Sequence, residues 1–154
     1  MEVGIVTFPE TKVAFIEHLG SPAREYETVG KLIAWKLENH LLDQLQHRSY
    51  GIHYTDPFTT PPAEHRVDFC LSVKEDVRPN PYGIKTKSIP KLRCAHARDI
   101  GSRSNNQAAA YLSKVWLPES GEMLGDFPMI FHYVNVGPSV KEEDMITDVY
   151  LPLK

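Results

Sequence analysis

The sequence contains two similar stretches about 80 residues apart, and this duplication constrains the fold more than any other feature. Matched residues recur at offsets of 81, 81, 79 and 80, in the order Gly20 and Gly101, Trp35 and Trp116, Tyr54 and Tyr133, Asp68 and Asp148. A nearly constant offset through four segments indicates one supersecondary unit that occurs twice, and the period is far too long for a solenoid.

The first copy predicts the order strand, helix, strand, strand. Residues 12–20 are rich in β-branched and aromatic side chains and end in Gly, Ser and Pro, which is typical of a strand stopped by a turn. From Glu25 to about Leu45, apolar residues recur at steps of three and four, which predicts a helix. Residues 49–57 and 64–74 read as two further strands on either side of the turn-rich segment PFTTPPA.

The second copy repeats this order. Residues 91–102 predict a strand, 105–117 a helix, and 127–137 and 145–153 two more strands. The chain is thus predicted to be one α+β domain over residues 1–154, a duplicated βαββ with repeat one at about 10–75 and repeat two at about 88–154. Two such units, related by a pseudo-twofold axis, can bury their apolar faces in one curved antiparallel sheet with two helices and a central ligand cleft.

Composition narrows the class of function. The 17 basic residues are scattered among 20 acidic ones and the net charge is −3, so direct nucleic-acid binding is not expected. No apolar run approaches the roughly 18 residues of a membrane helix, which predicts a cytoplasmic protein without membrane contact. Cys70 and Cys94 lie in apolar runs and are expected to be buried free thiols.

The predicted cleft would be lined by aromatic side chains. Because side chains alternate across a strand, Ile52 and Tyr54 share one face, as do Phe131 and Tyr133. The candidate ligand-binding set is completed by residues of the two helices and reads Trp35, Ile52, Tyr54, Tyr111, Trp116, Phe131 and Tyr133. Such a set suits flat or cationic ligands. The alternative is that these residues simply fill the core.

Motifs for chemistry are missing from the sequence. The seven histidines show no metal-ligand spacing, there is no C-x-x-C pair, and no G-x-S-x-G motif occurs. We therefore expect no metal site, no cofactor and no catalytic residue. Arg66 and Asp68 are predicted to form an ion pair that supports the scaffold. The predicted duplicated βαββ fold resembles that of SOUL-type haem-binding proteins, and this resemblance implies haem binding as an alternative, with His53 or His132 as axial ligand.

The combination of motifs along nearly the whole chain resembles a known family. The stretches VAFIEHLGSP, GIHYTDPFTTPPAEHRVDF, KVWLPESG, FPMIFHYVN and DVYLPL are similar to the GyrI-like small-molecule-binding domain. That family includes stand-alone proteins and the effector-binding domains of AraC-type and MerR-type multidrug regulators. The resemblance implies the duplicated βαββ fold and a ligand cleft.

The resemblance also bears on ligand charge. Members commonly carry a Glu in the motif F-E-x-Y, which meets cationic lipophilic ligands, and Phe131 stands at that position here. Relatives that hydrolyse strained electrophilic compounds use the same Glu, and a phenyl ring cannot act as a general base. Glu17, Glu25 or His132 would have to replace it.

The resulting hypothesis is a stand-alone protein, without a DNA-binding domain, that binds a drug-like aromatic or lipophilic molecule, neutral or weakly cationic. A first alternative is a protein-interaction module that docks onto a partner such as DNA gyrase. A second alternative is a hydrolase of strained electrophilic compounds, although enzymatic activity is the less favoured reading.

Overall fold

The computed structural model describes residues 1–56 and 59–154. Their strands are β1 (Gly4–Phe8), β2 (Thr11–Leu19), β3 (Ser49–His53), β4 (Arg66–Ser72), β5 (Lys85–Ile89), β6 (Leu92–Ile100), β7 (Met129–Tyr133) and β8 (Ile146–Pro152). Their helices are α1 (Glu25–Glu38), α2 (Gln107–Tyr111), a π-turn (Leu112–Trp116) and α3 (Leu117–Ser120), together with short 3-10 turns. The last residue of the strand predicted at 49–57 and the first two residues of the PFTTPPA turn fall outside the described residues.

The chain divides into two compact units. The first unit is Thr11–Ile89, and the second unit is Met1–Glu10 together with Pro90–Lys154. Each unit consists of one βαββ repeat and one additional strand. In the first unit this strand is β5, which pairs with β2, and in the second unit it is β1, which pairs with β6.

The first unit is a four-stranded antiparallel sheet in the order β3-β4-β2-β5. Helix α1 packs on one face through Leu32 and Trp35, which meet Ala14, Ile16 and Leu71 of the sheet. These apolar residues alternate with others that face away from the helix, as the period of two in a strand requires.

The second unit has the corresponding order β1-β6-β8-β7, again antiparallel throughout. Ala108 and Leu112 of its helical segment pack on Ala95, Ala97 and Val149, all of which are fully buried. The alanines of β6 and α2 make the side chains of this core small. Small side chains allow a helix to lie close to a sheet.

The predicted α+β class and the duplicated βαββ order are confirmed. The sequence reading missed β1 and β5. Strand β5 reads KTKSI and alternates between lysines and small polar residues, so it carries too little apolar pattern to be recognised. Lysine-rich edge strands of this kind are common because charge discourages pairing with other molecules.

Helix α1 is shorter than predicted, since it ends at Glu38 and not near Leu45. The Asn39 side chain donates a hydrogen bond of 2.8 Å to the carbonyl of Trp35. His40 then adopts the left-handed conformation, with φ of 57°, which stops the helix as a glycine often does. The apolar residues beyond this point continued the helical period without continuing the helix.

Both cysteines are free and buried, as predicted. Burial raises the pKa of the Cys94 thiol to about 11 and that of Cys70 further still, so both are kept in the unreactive thiol form.

Candidate functional site

Three aromatic residues of the second unit gather on the side of its sheet that carries the helix. Trp116 and Phe131 both pack against the helix–sheet core, and Phe131 meets Tyr133 edge to face with ring centres 6.5 Å apart. All three side chains are only half-buried. We call Trp116, Phe131 and Tyr133 the aromatic group.

The π-turn determines how Trp116 is placed. The amide of Leu117 donates to the carbonyl of Leu112, five residues earlier, which is the bond pattern of a π-helix. In the first unit the buried Leu32 is followed by Trp35 three residues later, whereas Leu112 is followed by Trp116 four residues later. Trp35 is 7% exposed and belongs to the core, while Trp116 with its extra residue remains half-buried. Single π-turns of this kind are frequent at functional sites.

A guanidinium group adjoins the aromatic group. The Cζ atom of Arg103 lies 5.2 Å from the centre of the Tyr133 ring, within the range of a cation–π contact. The Arg103 side chain is fixed by hydrogen bonds to Thr147 Oγ1 at 3.2 Å, to the Asn135 carbonyl at 2.8 Å and to the Ile146 carbonyl at 3.2 Å. Burial lowers the pKa of Arg103 below its ordinary value, although the group stays cationic at neutral pH.

The aromatic group and Arg103 together form a surface that is partly apolar and positively charged at one end. Half-exposed aromatic faces favour flat, lipophilic molecules, because such molecules bury ring area against them. The guanidinium disfavours a cation at the same place. The residues named in this unit thus supply ring faces and a fixed cation.

In the first unit, Ile52 and Tyr54 lie on the face of the sheet away from α1. Ile52 pairs across the strands with Asp68, and the Tyr54 hydroxyl donates to Asp68 Oδ2 at 3.0 Å. Lys87 also binds Asp68 and donates to the Tyr54 hydroxyl at 3.1 Å. Asp68 is fully buried and the Lys87 side chain is 28% exposed, so the ion pair joins a buried carboxylate to a partly exposed ammonium.

The expected equivalence of Tyr54 and Tyr133 is wrong by one residue. Strands β3 (Ser49–His53) and β7 (Met129–Tyr133) correspond at an offset of 80, as do β4 and β8, so Tyr133 matches His53. A slip of one residue moves a side chain to the opposite face of a sheet. Ile52 and Tyr54 consequently face away from the helix of their unit, whereas Phe131 and Tyr133 lie on the helix side of theirs.

Hydrogen bonds support the offset of 80. The Thr55 hydroxyl accepts from the amide of Arg66 at 3.0 Å, and the Asn135 side chain accepts from the amide of Ile146 at 2.8 Å. The two acceptors are 80 residues apart and so are the two donors. The repeated His-Tyr dipeptide is therefore a coincidence of sequence that does not occupy the same place in the two units.

Trp35 belongs both to the core and to a cavity wall. It lines a cavity of about 610 Å³ between the end of α1 and residues 73–81, together with Leu41, Val73 and Val77. These apolar lining residues are buried or half-buried, whereas the charged lining residues Glu38 and Arg78 are exposed. Its volume lies in the range of small-molecule sites. Tyr111, the remaining predicted ligand residue, is half-buried at the last position of α2.

The ion pair predicted between Arg66 and Asp68 is not formed. Arg66 pairs with Glu17 at 3.3 Å, while Asp68 pairs with Lys87 of the missed strand β5. The prediction was wrong because Lys87 can be placed next to β2 only when β5 is recognised as a strand.

The acidic groups considered as replacements for a catalytic Glu have partners in their own unit. Glu17 pairs with Arg66, and Glu25 lies 2.6 Å from Nε2 of the buried His65. Among the other histidines, burial and the nearby His65 lower the pKa of His53 from 6.5 to about 4. His53 is therefore neutral at neutral pH.

Comparison with known proteins identifies the family. The model of the GyrI-like small-molecule-binding domain matches residues 1–154. The chain belongs to this family. The probable transcriptional regulator YgiV of Escherichia coli K12 is 36% identical to this chain over 154 residues, which cover 99% of this chain and 96% of YgiV.

One further relative and one solved structure also match nearly the whole chain. The DNA gyrase inhibitor of Erwinia billingiae Eb661 is 26% identical over 161 residues, covering 99% of this chain and 97% of the inhibitor. Among solved structures, the C-terminal domain of EcmrR superposes with a TM-score of 0.78 at 16% identity and covers 99% of this chain and 97% of that domain. The structural likeness shows that this chain has the GyrI-like fold.

The described residues contain helices only within the two GyrI-like repeats, apart from short 3-10 turns, so they contain no helix-turn-helix unit. Over the same residues, no helix has the length and apolar character needed to cross a membrane.

Sequence reasoning missed Arg103. Its partners Asn135 and Thr147 are 32 and 44 residues further along the chain, so no local spacing indicated them. The segment SRSNN reads only as a turn before a helix, with Ser102 capping the 3-10 turn that contains Arg103. The duplication gave no signal for it either, because the position 80 residues earlier is Ala23.

Proposed function

We propose that this GyrI-like protein binds a flat, lipophilic aromatic molecule and that the aromatic group of the second unit supplies its principal contacts. The observation that carries the proposal is the arrangement of Trp116, Phe131 and Tyr133, which are fixed by the scaffold but remain half-exposed. Large aromatic residues left accessible on a rigid support are the usual anchors of binding surfaces.

Phe131 and Arg103 set the preferred charge class. A desolvated cationic ligand needs an anionic partner, and the aromatic group supplies a phenyl ring and an adjacent guanidinium instead. Neutral aromatic molecules are therefore favoured over lipophilic cations. The other predicted contacts, Trp35, Ile52, Tyr54 and Tyr111, stay predictions, with Trp35 supported by the cavity it lines.

The biological role that fits this chemistry is sensing or sequestering an aromatic compound. The relative YgiV is described as a probable transcriptional regulator. Because the residues described here contain no helix-turn-helix, regulation by this chain would pass through its ligand or a protein partner and not through direct DNA contact.

The test is an equilibrium titration of the purified protein with three probes of different charge: pyrene as a neutral flat aromatic, rhodamine 6G as a lipophilic cation, and haem. Saturable micromolar binding of the neutral aromatic, with weaker binding of the cation, supports the proposal. Absence of saturable binding of any aromatic probe at tens of micromolar would overturn it. A Soret shift on haem addition, with no binding of the other probes, would favour a haem protein instead.

A second candidate function is docking onto a protein. The turn Glu142–Asp144 carries three consecutive exposed acidic residues, and a relative 26% identical to this chain is a DNA gyrase inhibitor. Inhibition of gyrase supercoiling by the purified protein, lost on changing Glu142 and Glu143 to Lys, would support this function. A supercoiling rate that the protein leaves unchanged would exclude it.

A further inference from the structure

Within residues 1–56 and 59–154, Arg103 is a cation without an anionic partner. Among the residues that the structure describes, its guanidinium forms no ion pair, and its hydrogen bonds go only to the neutral acceptors Thr147, Asn135 and Ile146. The other arginines placed on strands of this unit, Arg93 and Arg98, pair with Glu122 and Asp148. A partly buried charge is normally paired, so the exception at Arg103 calls for an explanation.

The hydrogen-bond inventory shows which part of the guanidinium is available. Nε donates to Thr147 and Nη2 donates to Asn135 and Ile146, which holds the plane of the group in place. The Nη1 group makes no hydrogen bond to any described residue. Its two N–H donors therefore have no partner among the described residues, on a group that is already oriented and partly desolvated.

The position of Arg103 places this donor next to the aromatic group. Its Cζ atom lies 5.2 Å from the centre of the Tyr133 ring, and Tyr133 in turn contacts Phe131. A molecule whose ring packs on these two side chains can extend a substituent to Nη1. The substituent that gains most is an anionic oxygen, because a hydrogen bond between a guanidinium and a carboxylate is charge-assisted.

We propose that Arg103 is a specificity-determining residue and that the ligand of the aromatic group is an aromatic carboxylate, bound through its ring to Phe131 and Tyr133 and through its carboxylate to Nη1 of Arg103. This inference rests on the proposed function and names its ligand class. The immobilised side chain avoids the entropic cost of ordering a free arginine when the ligand binds.

The test compares naphthoate with naphthamide, which share the same ring and differ in charge. Wild-type protein is expected to bind naphthoate about tenfold more tightly than naphthamide, the effect of one net charge-assisted hydrogen bond. Arg103→Gln should abolish this ratio, whereas Arg103→Lys should keep a preference for naphthoate. Lys91→Gln removes an exposed positive charge from the same unit, outside the π-turn, and should leave the ratio unchanged.

The outcomes separate this inference from the proposed function. If naphthamide binds but naphthoate binds no better, or if the preference survives Arg103→Gln, the role of Arg103 is overturned and aromatic binding stands. If neither ring binds, the proposed function fails as well. Should Arg103→Gln not fold, the salt dependence of the wild type decides: naphthoate affinity must fall as ionic strength rises while naphthamide affinity does not.

Discussion

Phe131 and Tyr133 lie two residues apart on β7 with their rings edge to face, the planes at 87° and the centres 6.5 Å apart. Both rings are on the helix side of the second unit, where Phe131 joins the core that includes Leu112 and Val149. This arrangement fixes an aromatic surface without burying it completely.

Removal of the Tyr133 ring should weaken ligand binding. Tyr133→Ala deletes a ring that packs against Phe131 and is expected to reduce the affinity for pyrene by about 1–3 kcal/mol, the scale of a well-packed aromatic anchor. Fluorescence titration measures the change. Tyr26→Ala serves as the control, because Tyr26 is 71% exposed on α1 and should leave the affinity as it is. Equal affinities for wild type and Tyr133→Ala would rule out this surface.

A carboxylate at position 131 should change the charge preference. Phe131→Glu supplies an anionic partner for a desolvated cation and is expected to raise the affinity for rhodamine 6G about tenfold, or about 1.4 kcal/mol. Phe131→Gln introduces a side chain of nearly the same shape as Glu but without the charge, and it should not raise the affinity for rhodamine 6G. If both variants bind the dye alike, the side chain at 131 does not face the ligand.

The ion pair of the first unit should be strongly coupled. Asp68 is fully buried beside Lys87, so Asp68→Asn is expected to lower the free energy of unfolding by about 3 kcal/mol, since it leaves the ammonium without its counter-charge. Lys87→Met should be at least as damaging. Urea unfolding of the two single variants and the double variant measures the coupling, and the double variant should recover part of the loss. Purely additive losses would show that the two groups do not interact.

Stability should depend on pH through His53. Its pKa is lowered by burial and by His65 from 6.5 to about 4, so the folded state binds this proton less readily than the unfolded state. The stabilising contribution is fully present above about pH 6.5 and is lost as the pH falls towards about 4. In the His53→Gln variant, the urea midpoint of unfolding should change less with pH over this window.

An exposed histidine provides the control for that experiment. His40→Asn removes the residue at the end of α1 and keeps a residue type that tolerates a positive φ. Its pH profile should follow the wild type. A His53→Gln profile as steep as that of the wild type would mean that His53 does not carry the dependence.

The sequence was sufficient for the repeat architecture and insufficient for its edges and its register. Hydrophobic periodicity identified both helices and six strands, and offsets such as that between Trp35 and Trp116 showed that they form two copies of one unit. The lysine-rich β5 lacked an apolar pattern, and the partner of Asp68 was misassigned because Lys87 lies on that strand.

The site was predicted only in part for a related reason. The repeated His-Tyr suggested that Tyr54 and Tyr133 are equivalent, but the strands match at an offset of 80 and a slip of one residue reverses the face. Arg103 was missed because its partners are brought to it by tertiary structure. Sequence patterns report local periodicity, whereas the charge and accessibility of a site depend on contacts between distant segments.

Single-tryptophan fluorescence tests the central claim most directly, because the chain contains only Trp35 and Trp116. In a Trp35→Phe variant the emission comes from Trp116, and in a Trp116→Phe variant it comes from Trp35. Titration with pyrene is predicted to quench Trp116 saturably, with a midpoint equal to the dissociation constant measured from pyrene emission. Saturable binding that leaves Trp116 emission unchanged would contradict the assignment of the ligand to the aromatic group.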